Sequence, residues 1–553
     1  YNGELYNYRE LRQHLIRAGH QFTSESDTEV VLHAYMEWEE RCLDQFRGMF
    51  AFAIWDAIQG RLFAARDRLG IKPLYYAHAD VETPDRSWLA FGSELKALLA
   101  SGLVKPRLNY AALHHYLSFY AVPAPYTILE GVEALPAGHY MTFEDGRLRT
   151  KPYWRLPAVE LLQMGEPDMI VQLRERLEEA IRLRMIADVP VGAFLSGGID
   201  SSAVVALMTR VTGERLKTFS IGFGSEGAAI DERTAARELA DYYGTDHTEV
   251  IVYGQDVREQ LDQIIEAMDQ PTGDGLNTYL VSQAAAQHVK VALSGLGGDE
   301  LFAGYPQFRT FQRADRAGRV WDKLPNPVRE LARSLGLKAD RVGRAVKWLD
   351  GGLLDRYQRV RVLYDEERKL SLYTPKTVSN LIAPQSSLVF LSRFVHPAES
   401  DPLAQLTRLE LHSYMTHTLL RDTDAMSMAH SLEVRVPLID HKLVEFAVRI
   451  PASMKLRNGQ SKWILAQALR DVLPPSVLKR PKRGFEMPVA AWMHNELQDV
   501  LEDVFSRGSV ERRGLFNFEA VNGVYQGFLQ GEEPYMRAWA LAVLELWMRR
   551  FID

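Results

Sequence analysis

One cysteine, Cys42, stands in 553 residues, so the chain can close no internal disulfide and needs no oxidising compartment. No run of eighteen apolar residues occurs, which excludes a membrane-spanning helix. An excess of positive charge is missing too. The 65 lysines and arginines face 72 aspartates and glutamates, a net charge of -7 mixed along the chain, so nothing marks a broad nucleic-acid footprint. The opening YNGELYNYRE has neither the basic start nor the apolar core of a secretion signal, and the expected location is the cytoplasm. Tyr1 stands where a strand should already be under way, so the sequence is expected to lack its true beginning. Internal repeats and low-complexity tracts are absent. What remains has globular proportions, 46% apolar and 25% charged, in a length that suits about two to four domains.

The first 150 residues read as strand-rich. GMFAFAIWDAIQGRLFAARD, from Gly48 to Asp67, gives two apolar strands around a turn at Gly60, and HYMTFEDGRLRTKPYW gives a second hairpin in which Asp145 and Gly146 supply the turn. A helix over Tyr8 to Ala18 packs outside. KPYWRLP, Lys151 to Pro157, breaks the pattern with two prolines, and a helix over Met169 to Arg184 follows, which sets the domain boundary: 1–155, then 165–553. Beyond it the rhythm is strand, helix, strand. VPVGAFL, LKTFSIGF, HTEVIVY and VKVALSG alternate with helices after Asp200, from Glu232 to Tyr243 and from Asp256, the pattern of an open parallel sheet whose ligands bind at the strands' carboxyl ends. After Gly304 the chain reads as mainly helical, with amphipathic stretches over Leu403–Leu420 and Met536–Phe551.

Two loops carry chemistry. In VGAFLSGGIDSSAV, Ser196, Gly197 and Gly198 lie between a buried strand and a helix, so small side chains let backbone N–H groups and the helix dipole face an anion. The loop has no Lys followed by Ser or Thr, so it does not grip a transferring γ-phosphate; it carries Asp200, suited to Mg²⁺, and pyrophosphate is the fitting leaving group. The second loop, VALSGLGGDELFAGY, ends another strand in Ser294 and Gly295 and enters a helix through Asp299 and Glu300. Asp200 and Asp299 are therefore the candidate metal pair. The plainer reading of Asp299 and Glu300 is helix N-terminal capping.

SGGIDSS, SGLGGDELFAGY and AMSMAHSLEVRVPLIDHKLVEFA resemble the glutamine-dependent asparagine synthetases. YNGELYNYRELR, SDTEV, GMFAFAIWD, RDRLGIKPLYY and FGSELKAL resemble the glutaminase half of the same family. The resemblance spans nearly the whole chain in the right order. It implies an α/β architecture: an incomplete, strand-rich N-terminal-nucleophile glutaminase followed by a parallel-sheet ATP-pyrophosphatase domain with a mainly helical C-terminal part. It also implies ATP-dependent amidation of aspartate with glutamine nitrogen, giving asparagine, AMP and pyrophosphate. The family's nucleophilic N-terminal cysteine would lie upstream of Tyr1. Asn2 and Gly3 are implied to steady the tetrahedral intermediate, and Glu4 and Asp27, with them, to bind glutamine; Asn2 could equally be a turn residue. ATP is implied to rest against Leu195, Ile221, Ser294 and Gly295, with Ser196, Gly197, Gly198, Asp200, Ser201 and Ser202 around its phosphates and Mg²⁺ on Asp200 and Asp299. Lys482, in LKRPKRGFEMPV, matches the family's catalytic lysine; its neighbours Lys479, Arg480 and Arg483 would otherwise read as a solvated face. Arg435 and Asp440 are expected to be structural ion-pair partners, with Asp424 and His430 as weaker candidates. Cys42, in WEERCLDQF, is expected to be a buried helical thiol and not a substitute nucleophile.

One position departs from the family pattern. Where asparagine synthetases commonly carry an acid implicated in forming the aspartyl-adenylate, this chain has Leu296, which can neither take a proton nor hold a metal. Either an acid comes from elsewhere, with Glu300 nearest in sequence, or the acceptor differs from aspartate: a sugar acid, a peptide carboxylate, or an internal amine closing a ring, as in the related β-lactam synthetases and lasso-peptide cyclases. A nucleotide-binding regulator without turnover is the third reading. The expected partners are glutamine, aspartate and ATP, with a homodimer as the candidate assembly and neither nucleic acid nor membrane.

Overall fold

The computed structural model describes the chain apart from residues 80–86, 158–159, 225–226, 228–229, 337–345, 347, 350, 382–385 and 481–486. Strand β1 (Asn2–Leu5) pairs antiparallel with β2 (Gly48–Asp56), which turns back into β3 (Arg61–Arg66) as the alternating apolar pattern requires. β4 (Tyr75–Ala79), β5 (Trp88–Gly92) and β6 (Glu133–Ala134) form a small sheet of their own. The second expected hairpin is β7 (His139–Glu144) and β8 (Arg147–Pro152). Its turn residues Asp145 and Gly146 both have positive φ, 50° and 72°, the mirror-image turn that matches strand twist. The larger sheet runs β1-β2-β3-β7-β8. Helices Tyr8–Arg17 and Asp27–Trp38 cover it, burying Leu11, Leu15, Val30 and Ala34 against Phe50, Phe52 and Phe63.

The C-terminal sheet is parallel throughout: β9 (Val191–Phe194), β10 (Lys217–Phe223), β11 (Asp246–Val252), β12 (Val291–Leu293) and β13 (Glu433–Arg435), in the order β11-β10-β9-β12-β13. The chain steps outward from β9 to β10 and β11, then returns to the other side of β9 with β12. The reversal opens a crevice between the carboxyl ends of β9 and β12, and both glycine-bearing loops leave the sheet there. After Gly304 the chain is mainly helical, as expected, and β13 is the named strand among the described residues there. Three residues, Glu-Val-Arg, are too few to show a period of two, and only the neighbouring strand makes them extended.

The helices follow the sequence closely, over Glu166–Arg184, Ile199–Val211, Arg233–Tyr243 and Tyr535–Phe551. The stretch expected as one amphipathic helix from Leu403 is helical over Pro402–Glu410 and π-helical over Leu411–Leu419, then regains α geometry over Leu420–Met428. A π segment of that kind re-aims side chains relative to the flanking turns, and Tyr414 sits in its middle.

The two halves share a core. Leu95, Leu98, Leu113, Tyr116, Leu117 and Ile128 pack with Tyr279, Trp539, Leu541 and Trp547, and the Asp269 carboxylate accepts from the N–H groups of Leu95 (2.9 Å) and Lys96 (3.1 Å). Buried ion pairs stitch the same seam. Asp440 takes Arg47 Nε at 2.9 Å and Nη2 at 3.0 Å, and Arg184 Nη1 at 2.9 Å, while capping the helix His441–Val448. Asp424 pairs with Lys72 at 2.8 Å. Asp440 thus has the expected structural role. His430 lies edge-on to the Tyr279 ring at 4.3 Å. Among the described residues no helix is long and apolar enough to cross a membrane.

Candidate active site

The loop after β9 is braced by its own serines. The Ser201 hydroxyl accepts from the Ser196 N–H at 3.1 Å and lies 2.9 Å from Ser196 Oγ, the Gly198 N–H donates to Ser196 Oγ at 3.2 Å, and Ser202 Oγ donates to the Gly198 carbonyl at 2.6 Å. The loop after β12 presses against this one so closely that only glycine fits. A Cβ on Gly295 would lie 2.7 Å from the Ser201 nitrogen, and one on Gly298 would lie 2.2 Å from Asp200 Oδ1. Gly297 turns the chain with a φ of 100°. Leu195, Ser196, Asp200, Ser201, Ile221, Ser294, Gly295, Leu296 and Asp299 all line one cavity of about 600 Å³, a size suited to a small-molecule ligand.

Asp200 and Asp299 converge, as the two loops lead one to expect. What joins them is the ammonium of Lys462, which contacts Asp200 Oδ2 and lies 2.5 Å from Asp299 Oδ1. All three side chains are buried. Burial alone would push the Lys462 ammonium toward losing its proton; the two carboxylates outweigh that and hold its pKa raised. Lys462 escaped the sequence reading because NGQSKWIL looks like a turn before a helix. Its placement is particular: its φ is 55°, and its N–H donates to the Phe302 carbonyl at 3.0 Å. Among the described residues no cluster of three or more His, Cys, Asp or Glu forms a metal cage. Mg²⁺ does not need one, since it takes one or two carboxylates and fills its other positions with water and substrate phosphates. Two hard carboxylates that already share one cation at the mouth of an anion cradle fit that ion.

On the far side of the cavity Glu300 is joined by Tyr305, Tyr414, Arg361 and Asp274, of which the last three belong to no motif. Tyr305 donates to Glu300 Oε1 at 2.6 Å, and Tyr414 donates to Asp274 Oδ2 at 3.1 Å. The Arg361 guanidinium lies 4.8 Å from the Tyr305 ring centroid and 3.9 Å from that of Tyr414, held by the buried Glu410 through bonds of 2.9 and 2.6 Å. Burial, with Asp299 beside it, pushes the Glu300 carboxyl up to about 7. Leu296 lines this cavity without polar function, and Glu300, four residues on in the same loop, lines it too. Phe119 and Tyr120, from the N-terminal half, complete the wall; Gly273 is glycine because the Tyr120 ring occupies the space of its side chain. Lys482 lies outside the described residues. Arg480, two residues before it, donates from Nη1 to the Gly197 carbonyl at 3.1 Å, so the basic segment begins against the first glycine loop.

At the other sheet, Asn2, Gly3 and Glu4 form β1, which sets aside the turn reading of Asn2. Asn2 Nδ2 donates to Ser93 Oγ at 3.1 Å. Gly3 has a φ of 133°, and a Cβ there would meet the Met49 carbonyl oxygen at 2.1 Å, so no other residue fits. Asp27 Oδ2 accepts from the Tyr1 hydroxyl at 2.7 Å and the Leu5 N–H at 2.9 Å. Glu4 lies 3.2 Å from Arg435; burial pushes its carboxyl up to about 7 despite that cation. Cys42 is fully buried at the start of the short helix Cys42–Gln45, and burial, with Glu40 and Asp44 nearby, pushes its thiol up, the opposite of an activated nucleophile.

Residues 172–549 match the family model described as asparagine synthase, and residues 1–154 the one described as glutamine amidotransferase domain. Asparagine synthetase (glutamine-hydrolyzing) 1 of Bacillus subtilis (strain 168) is 32% identical over 520 residues, covering 92% of this chain and 79% of that protein. A putative asparagine synthetase (glutamine-hydrolyzing) of Mycobacterium bovis is 33% identical over 570 residues, covering 100% and 84%. Amidase chyE of Penicillium rubens is 28% identical over 583 residues, covering 96% and 83%.

Proposed function

The chain belongs to the asparagine synthase family of glutamine-hydrolysing ligases, and from that premise we propose that it converts L-aspartate to L-asparagine with ATP and glutamine, through a β-aspartyl-adenylate. The observation that carries the reading is the convergence of Asp200 and Asp299, from adjacent strand ends, on one cation beside two glycine loops. In this proposal ATP lies against Leu195, Ile221, Ser294 and Gly295, with its phosphates over Ser196, Gly197, Gly198, Ser201 and Ser202. Asp200 and Asp299 hold Mg²⁺, which when bound neutralises the pyrophosphate. Lys462 keeps the two acids charged and together.

The acceptor carboxylate oxygen attacks the α-phosphorus, the bond to the β-phosphate bridging oxygen breaks, and pyrophosphate leaves. Ammonia then attacks the acyl carbon, AMP departs, and one proton is lost from nitrogen. Lys482 is assigned to the charge that develops on the adenylate. The ammonia comes from the glutamine amide, hydrolysed at a site where Glu4 and Asp27 hold the amino-acid end and Asn2 and Gly3 face the oxyanion. A cytoplasmic location and a homodimer belong to the same proposal.

A second reading keeps the chemistry and changes the acceptor. Leu296 favours it, as does the similarity to a fungal amidase. A screen of carboxylates for pyrophosphate release by the full-length protein separates the two. Release with aspartate alone supports the first reading, release with another acid and not aspartate supports the second, and ADP as product ends both.

A further inference from the structure

Several acids that line the cavity are matched by a cation of the protein: Lys462 serves Asp200 and Asp299, and Arg421 holds Asp422. Asp274 is not. Its Oδ1 accepts from the Gly275 N–H at 3.1 Å and its Oδ2 from the Tyr414 hydroxyl at 3.1 Å, and among the described residues no cation pairs with it. Arg361, on the same wall, is only half used. Glu410 takes its Nε and Nη2 in a fork, and Nη1 has no acceptor among the described residues. The Arg361 side chain is 19% exposed, so the guanidinium is not sealed from the cavity. Tyr414 stands between the two charges. Its ring lies 3.9 Å from the guanidinium carbon and its hydroxyl holds Asp274, so one tyrosine side chain separates a cation from an anion. Opposite charges fixed on one wall and not paired with each other are complementary to a zwitterion. An α-ammonium and its neighbouring carboxylate, with a hydrogen bond at each end, span such a gap.

We propose that Asp274 and Arg361 clamp the α-ammonium and the α-carboxylate of the acceptor, which makes the acceptor a free α-amino acid presenting its side-chain carboxylate to ATP. The inference rests on the reading that this cavity adenylates a carboxylate. Within that reading it rules out the sugar acid, which has no ammonium, and the peptide carboxylate, which has no free α groups beside it. The guanidinium is a fixed donor: Glu410 sets its plane, and the rings of Tyr305 and Tyr414 lie against it. Glu300, another acid of this wall, is bonded to Tyr305, and burial pushes its carboxyl up to about 7, so it competes little for the ammonium.

The test is pyrophosphate release by the chain at saturating MgATP and ammonium chloride with L-aspartate varied. The competitors are succinate, which lacks the α-ammonium, and 3-aminopropanoate, which lacks the α-carboxylate. Asp274→Asn should raise the KM for aspartate about tenfold or more and leave the inhibition constant of succinate unchanged. Arg361→Gln combined with Glu410→Gln, which strands no buried carboxylate, should raise that KM similarly and leave the constant of 3-aminopropanoate unchanged. An unchanged MgATP affinity reports an intact fold; should the double variant lose it, Asp274→Asn alone decides. Equal changes for aspartate and for the analogues overturn the clamp, as does succinate binding as tightly as aspartate. If another acid proves to be the acceptor, an α-amino acid upholds the clamp and any other acid overturns it, while adenylation stands in both cases. If no acid releases pyrophosphate, the adenylation reading fails. Calorimetric titration of aspartate with a non-hydrolysable ATP analogue then decides the clamp, which falls if Asp274→Asn binds as the parent does or if neither binds.

Discussion

Replacing Lys462 by methionine removes a buried ammonium and keeps its volume. In the parent that ammonium contacts both Asp200 and Asp299, whose side chains are 12% and 11% exposed, so the substitution takes from both acids the cation they share. Breaking a buried ion pair from one side costs roughly 3–5 kcal/mol, and here two acids lose one partner. The cost depends on pH with a definite sign. Protonation relieves the repulsion between two neighbouring carboxylates, so the variant should recover part of its stability as the pH falls and be worst above neutrality. Two controls isolate the cause. Asp200→Asn combined with Lys462→Met should be less destabilised than Lys462→Met alone, and millimolar Mg²⁺ should restore the single variant at pH 8 by binding the same two acids. The assay is the urea midpoint at pH 5.5 and 8, with and without Mg²⁺. A Lys462→Met chain as stable as the parent at pH 8 without divalent ions would refute the claim that the two acids depend on a shared cation.

Three further outcomes follow from the same structure. Gly295→Ala should weaken ATP binding about tenfold or more, because the new Cβ meets backbone atoms of the other loop at 2.7 and 2.8 Å; Gly198→Ala, whose nearest neighbour is the Ser196 hydroxyl at 3.3 Å, should be much milder in the same titration. Cys42 should react with a thiol reagent only after denaturation, and Cys42→Ala should leave glutamine-dependent synthesis unchanged in the full-length protein; a fast-reacting native thiol would contradict the buried assignment. His115 and His417 are buried, and burial first, then neighbouring cations, lowers each imidazole to about 3. The unfolded chain takes up those protons near pH 6.5 and the folded chain does not, so stability should fall as the pH drops from about 6.5 toward 4.5, by roughly 1.4 kcal/mol per pH unit for each histidine well below 6.5. Urea midpoints across that range measure the slope, and a chain carrying His115→Phe and His417→Phe should show a shallower one.

Much of this site was legible before any coordinates. Strand, glycine turn and acid follow one another in both loops, and a parallel sheet sends such loops to one edge, so the meeting of Asp200 with Asp299 follows from sequence pattern and topology together. Both hairpins announced themselves through alternation and through Asp145-Gly146. What stayed hidden depends on contacts distant in the chain. Lys462 lies more than 160 residues from Asp299 in a stretch without a motif, and only the fold brings its ammonium to the two acids. Arg361 and Tyr414 reach the cavity from two separate helical segments and Asp274 from the loop before the helix Leu276–Ala286, and Tyr414 does so through a π-helical turn that no periodicity signals. β13 is too short to read as a strand, yet it carries Arg435. Leu296 was visible as a departure at once; its consequence for the acceptor is chemical and does not follow from the fold.

The central claim is that the two glycine loops grip one nucleotide through one cation held by both acids. Mn²⁺, a paramagnetic stand-in for Mg²⁺, allows a direct count of bound ions by electron spin resonance in the presence of ATP. The account predicts one tightly bound Mn²⁺ per chain with ATP, lost in Asp200→Asn and in Asp299→Asn alike. An ion retained at full affinity in either variant would contradict it.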